Sequence, residues 1–108
     1  MQAEIEKYLD AIRADYTTWG RTPGQPQSAT RTQMDKEFSD ALTTSEGGKY
    51  IKVITGPQRS VHSFIVKADD GKFKRGDILK AAGWATPAKN FARGNILAGN
   101  YTVSWTGP

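Results

Sequence analysis

Cysteine is absent from this chain of 108 residues, and histidine occurs once, at position 62. The absence of cysteine excludes disulfides and thiolate metal sites. A catalytic triad needs a base, and His62 lies within an alternating apolar segment that is more typical of a structural histidine. Asp69 and Asp70 are adjacent carboxylates, but they precede a glycine and indicate a solvated turn. We therefore predict no enzyme, with no catalytic residue, no metal ligand and no cofactor.

Long apolar runs are absent as well. No run approaches the ~20 residues of a membrane span, and the first residues, MQAEIEKYLD, lack the basic-then-apolar order of a secretion signal. With 37% apolar residues, the chain can bury one core. We expect a single domain over residues 1–108, located in the cytoplasm and without a membrane partner. The composition does not indicate an oligomeric state.

Charge is unevenly distributed along the chain. Residues 1–47 contain five Lys/Arg and eight Asp/Glu, a balance of −3. Residues 48–108 contain ten Lys/Arg and three Asp, a balance of +7. Such an asymmetry favours an anionic partner for the second half. The alternative is that the acidic half simply covers part of the basic half.

The acidic half has the periodicity of two helices. In the first, six apolar side chains recur at intervals of three, four and seven, which predicts a helix over residues 3–19 and a core position for each of them. They are Ile5, Tyr8, Leu9, Ile12, Tyr16 and Trp19. Gly20 ends this helix, and the proline-containing stretch RTPGQPQSAT forms a loop.

A second helix is predicted over about residues 30–43, because Met34, Phe38 and Leu42 recur every four residues. Three residues near its start could serve as the N-cap, and the pattern does not choose among them. They are Ser28, Thr30 and Thr32.

The basic half has the pattern of an antiparallel sheet. Alternating, β-branched segments at 49–55 and 60–68 flank a Gly-Pro turn and predict a hairpin. The segment 100–106 alternates in the same way and predicts a third strand, and residues 72–74 form a possible fourth after the Asp70-Gly71 turn. An insertion at 72–97, which includes this fourth segment, precedes the strand at 100–106. The predicted class is α+β, with two N-terminal helices packed on an antiparallel sheet of three to four strands and an inserted short helix.

The insertion, KFKRGDILKAAGWATPAKNFARGNIL, contains that helix. Asp77 is placed as the cap of a helix over 78–82, which Gly83 terminates. Four apolar residues, two in the predicted helix and two near the end of the insertion, should tie the insertion to the core: Ile78, Leu79, Ile96 and Leu97. We expect Phe91 to be buried and Trp84 to be partly exposed.

Six of the fifteen basic residues fall within this insertion, interleaved with aromatic rings. Sequence-tolerant nucleic-acid surfaces combine cations that follow the phosphates with rings that stack on the bases. The candidate binding residues are Lys72, Lys74, Arg75, Lys80, Trp84, Lys89, Asn90 and Arg93. The alternative partner is a protein with an acidic surface.

The sequence FKRGDILKAAGWATPAKNFARGNIL, followed by GNYTVSWTG, resembles a family of small, largely uncharacterised proteins of tailed bacteriophages. The similarity extends from Val61 to Gly107, and residues 1–47 match loosely. It implies a phage origin and action in the cytoplasm of an infected bacterium, and it implies no activity or cofactor. Binders of nucleic acid, inhibitors of a host or defence protein, and minor virion components are the functions that such an origin leaves open.

Overall fold

The computed structural model describes residues 1–20, 24, 28–56 and 59–108, and it shows an α+β fold. Two helices come first, α1 (Gln2–Trp19) and α2 (Ala29–Ala41). Four strands follow: β1 (Thr43–Glu46), β2 (Tyr50–Thr55), β3 (Ser60–Val66) and β4 (Ile78–Lys80). Each strand pairs antiparallel with the next, so the sheet order is β1-β2-β3-β4. The predicted class, two helices followed by a small antiparallel sheet, is confirmed.

Parts of two predicted turns lie outside the described residues. These are 21–23 and 25–27 of the loop between the helices and 57–58 of the β2–β3 turn. Among the residues that are described, no helix combines the length and apolar character needed to cross a membrane.

Helix α1 buries the predicted apolar stripe, with one exception. The buried members are Ile5, Tyr8, Leu9, Ile12 and Tyr16. The expectation that Trp19 is a core residue is wrong, because its side chain is 61% exposed. Trp19 is the last residue of the helix, and it packs on the ring of Trp105 at 4.8 Å instead of on the sheet.

Helix α2 begins at Ser28, whose hydroxyl accepts a hydrogen bond from the Arg31 amide at 3.0 Å. This bond identifies the N-cap that the pattern left open. Phe38 is the one buried residue along the helix, and Leu42 is buried just beyond its end. Met34 is 41% exposed, contrary to its place in the predicted stripe, because only the last turns of α2 reach the core.

Both faces of the sheet are buried. Ile51, Val53 and Ile65 pack with the two helices on what we call the helical face. Phe64 and Leu79 belong to a second cluster that contains no helical residue. Since successive side chains of a strand point to opposite faces, this second cluster marks the other side, which we call the far face.

The short helix predicted over Ile78–Ala82 is wrong, because its first three residues form β4. Ile78 lies opposite Ile65 and Leu79 opposite Phe64, so the two side chains enter different clusters. A pair of adjacent apolar residues fits a strand buried on both faces as well as it fits a helix. The cover on the far face decides between the two, and it comes from Phe73, before the strand, and from Ala81 and Ala92, after it.

The strands predicted at 100–106 and 72–74 are also wrong. Residues 72–74 contribute a single bridge, between Asp70 and Phe73. The C-terminal tail, residues 100–107, takes no part in the sheet and packs on the helical face through Tyr101, Val103 and Trp105, which are all partly buried. The alternating apolar residues of the tail therefore pack on one side, and its backbone does not pair with a strand of the sheet.

Strand β1 was not predicted. Its four residues, TTSE, are all exposed, so they carry no apolar signal. They pair with β2 in the register Thr43 opposite Ile54 to Glu46 opposite Ile51. The backbone pairing with an apolar neighbour, and not side-chain burial, makes this segment a strand.

Candidate functional site

The segments on either side of β4, residues 72–77 and 81–93, cover the far face, and together we call them the basic layer. Phe73 is buried against Phe64 and Leu79, while Ala81 and Ala92 pack around them. The acidic helices lie on one side of the sheet and the basic layer on the other. The asymmetry of charge along the sequence thus becomes an asymmetry between two layers.

The outer edge of β4 is paired with the end of this layer and the residues that follow it. Ala88 donates its amide to the Lys80 carbonyl at 2.7 Å, and Arg93 donates to the Ile78 carbonyl at 2.7 Å. Residues 89–92 loop out between these two bonds, and we call them the excursion. Such a bulge re-aims side chains beside a regular ladder. Here it exposes Phe91, which is 51% accessible, so the expectation that Phe91 is buried is wrong.

The ammonium group of Lys72 holds the excursion in place. It donates to the carbonyl oxygen of Lys89 at 3.0 Å and also to that of Asn90. Three of the residues predicted for the site are therefore in contact. Lys89 and Asn90 remain exposed at the surface.

Two exposed rings each have a cation on one face. The Lys52 ammonium lies 4.2 Å from the ring centre of Trp84, and the Arg93 guanidinium carbon lies 4.2 Å from that of Phe91. Trp84 is 51% exposed, which agrees with the partial exposure expected of it. Both distances lie within the range of a cation–π interaction.

Three site residues on β2 and just before it were missed from the sequence. Lys49, Tyr50 and Lys52 line a groove of about 260 Å³ that Ala85, the neighbour of Trp84, closes on the other side. Lys89 approaches the ring of Tyr50 at 6.0 Å. Alternation along β2 places residues 50 and 52 on one face, and this is the signal that could have found them. Which face that is depends on the tertiary structure.

Lys74 and Arg75 lie in a turn that carboxylates build. Asp77 accepts a hydrogen bond from the Lys74 amide at 2.9 Å, and Asp69 accepts one from the Arg75 amide at 2.8 Å. Asp77 therefore caps a turn and not a helix, which corrects its predicted role. The side chain of Asn95 donates to Asp77 at 2.9 Å and ties the turn to the end of the layer. Lys74 and Arg75 project from this turn and are exposed.

Lys80 lies apart from the other candidates. It is paired with Ser63, whose side chain points to the helical face and contacts Tyr8. Directly opposite residues share a face, so Lys80 points away from the side on which Trp84 meets Lys52. The structure separates these two predicted site residues.

The acidic half does not neutralise the basic layer. Within the described part of the chain, no carboxylate lies within 4.0 Å of a side-chain nitrogen of Lys or Arg in 72–93. One ion pair there links the two halves, between Lys67 and Glu46 at 3.2 Å. Two of the three acids in the basic half, Asp69 and Asp77, bind backbone amides. The cations of the layer are therefore left without an acidic partner.

The single histidine lies far inside the molecule. Its Nε2 is 2.7 Å from the carbonyl of Ser104, which can only accept, so Nε2 carries the proton. Nδ1 then accepts from the hydroxyl of Ser63 at 2.9 Å, and the Tyr8 hydroxyl is 2.8 Å from the same Ser63 oxygen. Burial lowers the pKa of His62 and raises the pKa of Tyr8 to about 12. These closed bonds support the structural role predicted for His62.

No curated protein and no solved structure matches this chain. A family model does match, and it extends over residues 1–106, which include both helices, the sheet, the basic layer and most of the tail. The chain therefore belongs to this family, which is described as a family of unknown function (DUF7717).

Proposed function

We propose that the protein binds nucleic acid through the far side of the molecule, with the basic layer and the neighbouring part of β2 as the contact surface. One observation carries the proposal: cations without acidic partners stand beside two half-exposed rings. Cations neutralise the phosphates of a nucleic acid, and exposed rings stack on its bases. A layer that only closed the core would have no need to expose Trp84 and Phe91 in this way.

Five cations surround the two rings and the groove: Lys49, Lys52, Lys72, Lys89 and Arg93. Lys74 and Arg75 extend this surface along the turn, whereas Lys80 stands outside it. Because the acidic helices lie across the sheet, a polyanion that approaches the basic layer meets a field dominated by positive charge. Each neutralised phosphate releases counterions, so binding should weaken strongly with salt.

The proposal includes a phage origin and action in the cytoplasm of an infected bacterium, which the resemblance of Val61–Gly107 to small proteins of tailed bacteriophages implies. Nucleic acid of the phage or of the host is present there. A modulator of a host or defence protein with an acidic face is the second candidate, and the same unpaired cations favour it.

The test is a fluorescence anisotropy titration with a labelled oligonucleotide of about 20 nucleotides at several salt concentrations. With five phosphate contacts on a single strand, the log–log slope should be about −3.5, which weakens binding about 130-fold between 50 and 200 mM salt. The double variant Lys89→Glu with Arg93→Glu should abolish binding and leave the melting temperature nearly unchanged.

A matched control is Lys7→Glu with Lys36→Glu, which makes the same change in net charge on exposed residues of the helical layer. It should lower affinity by much less than the pair in the basic layer. An absence of binding at about 50 mM salt would refute the proposal and leave the protein partner, which a pull-down from nuclease-treated lysate would then reveal. Binding that survives the charge reversal at Lys89 and Arg93 would refute the assignment of the surface.

A further inference from the structure

We infer that the ligand of this surface is single-stranded nucleic acid, with unpaired bases stacked on Trp84 and Phe91. This inference rests on the proposed function and goes beyond it, because cations alone would serve a duplex equally well. It names the class of ligand, and it assigns base stacking to the rings and phosphate binding to the cations.

The two rings have a common arrangement. In each, a cation lies 4.2 Å from the ring centre on one face, and about half of the side chain is exposed. On this inference, a base stacks on the ring face opposite the cation. A base that stacks there brings its flanking phosphates toward Lys52 or Arg93, so each ring and its cation suit one nucleotide.

Hydrogen bonds tie down the backbone beneath the rings. Phe91 projects from the excursion, whose backbone Lys72 holds through two carbonyl groups and whose ends are fixed to β4. Trp84 follows Gly83 in a loop that the Ala82 amide closes by donating to the Thr86 carbonyl at 2.9 Å. A backbone that is already held by hydrogen bonds loses little conformational freedom when a base stacks on the rings that it carries.

A duplex offers these rings no equivalent contact. In a double helix each base is stacked between its neighbours, and only the base edges are accessible in the grooves. A base must therefore be unpaired before it can stack on an aromatic side chain. The groove along Lys49, Tyr50 and Lys52 continues the path of a flexible strand from Trp84 along β2.

The experiment compares four probes in competition for one labelled strand. They are a mixed-sequence single-stranded DNA of 20 nucleotides, an RNA of the same sequence, the corresponding DNA duplex, and inorganic polyphosphate, which carries charge without bases. The wild-type protein should prefer the single strands to the duplex by at least about tenfold. Both single strands offer phosphates and unpaired bases, so comparing their affinities shows whether the surface prefers DNA or RNA.

Ring variants separate stacking from charge. Trp84→Ala or Phe91→Ala should weaken single-strand binding by about 5- to 150-fold, the range for loss of one stacked base, and should change polyphosphate binding by less than about twofold. Trp84→Phe keeps an aromatic surface and should restore most of the affinity. Trp19→Ala removes a ring of the helical layer that is even more exposed, at 61%, and should have no effect on binding.

The two proposals fail in different ways. If no probe binds, the proposed function is refuted and the inference falls with it. If the duplex binds as tightly as the single strands, or if both ring variants bind them like the wild type, the inference is refuted while nucleic-acid binding stands. Retained fold, measured by circular dichroism, ensures that a loss of binding reports on the ring.

Discussion

Lowering the pH below neutrality should destabilise this protein through His62. The side chain is 4% exposed, and its neutral form satisfies both neighbours, since Nε2 donates to the Ser104 carbonyl and Nδ1 accepts from Ser63. A proton on Nδ1 would remove the acceptor for Ser63. The bond to Ser104 fastens the C-terminal tail to β3, so this site joins the tail to the sheet.

The sign and the size of the effect follow from proton linkage. Burial lowers the pKa of folded His62 below its ordinary value of 6.5, so the unfolded chain takes up the proton first. The free energy of unfolding is therefore highest above about pH 6.5 and decreases as the pH falls toward the folded-state pKa. The largest loss that one such histidine can cause is about 1.4 kcal/mol at pH 5.5 and about 2 kcal/mol at pH 5.0.

Urea unfolding at pH 7.5, 6.5, 5.5 and 5.0 measures this effect, with His62→Gln as the matched variant. Glutamine can donate to Ser104 and accept from Ser63 but does not titrate. The variant should be less stable than the wild type at pH 7.5, and the difference should shrink as the pH falls. Parallel stability profiles for the two proteins would show that His62 does not titrate differently in the folded state, and would refute the reasoning.

Two further substitutions test the packing. Phe38→Ala should lower the free energy of unfolding in urea by about 3–5 kcal/mol, since the buried ring of Phe38 stacks on Tyr16 at 4.0 Å. As a control, Met34→Ala changes an exposed residue of the same helix and should lower it by about 0.5 kcal/mol or less. A small loss for Phe38→Ala would show that α2 is peripheral. Gly94→Ala should cost at least about 1–3 kcal/mol, because φ is +142° and the added Cβ would lie 2.6 Å from an atom of Tyr101. The control Gly83→Ala meets nothing within 4 Å and should melt like the wild type.

Acidic residues in the basic half have a structural task that follows from the chemistry of turns. Asp77 accepts a hydrogen bond from the backbone amide of Lys74, and Asp69 accepts one from the backbone amide of Arg75. Short carboxylates commonly bind backbone amides in turns. The cations next to them in sequence, Lys74 and Arg75, remain exposed. Carboxylates thus shape the surface without pairing with its positive side chains.

Local patterns were sufficient for much of this fold. The helices and the β2–β3 hairpin follow from periodicities that extend over many residues, and each helix buries most of the stripe that its pattern marks, with Trp19 and Met34 as the exposed exceptions. The uneven charge was also readable, because composition does not depend on folding. Gly83, expected to end the short helix, has no positive φ, and a Cβ there would meet nothing within 4 Å, because that helix does not form.

Only long-range contacts decided the rest. Ile78 and Leu79 form a strand because other residues of the chain bury both faces of the sheet. The tail at 100–107 does not join the sheet, since its apolar side chains pack against the core on the helical face. Leu97 is 43% exposed although Ile96, beside it, is buried, a division that the apolar pair does not reveal. The composition of the surface, basic residues interleaved with rings, was present in the sequence. Its geometry was not, because Trp84 meets Lys52 across 32 positions of the chain, and a periodicity carries no information about contacts at that distance.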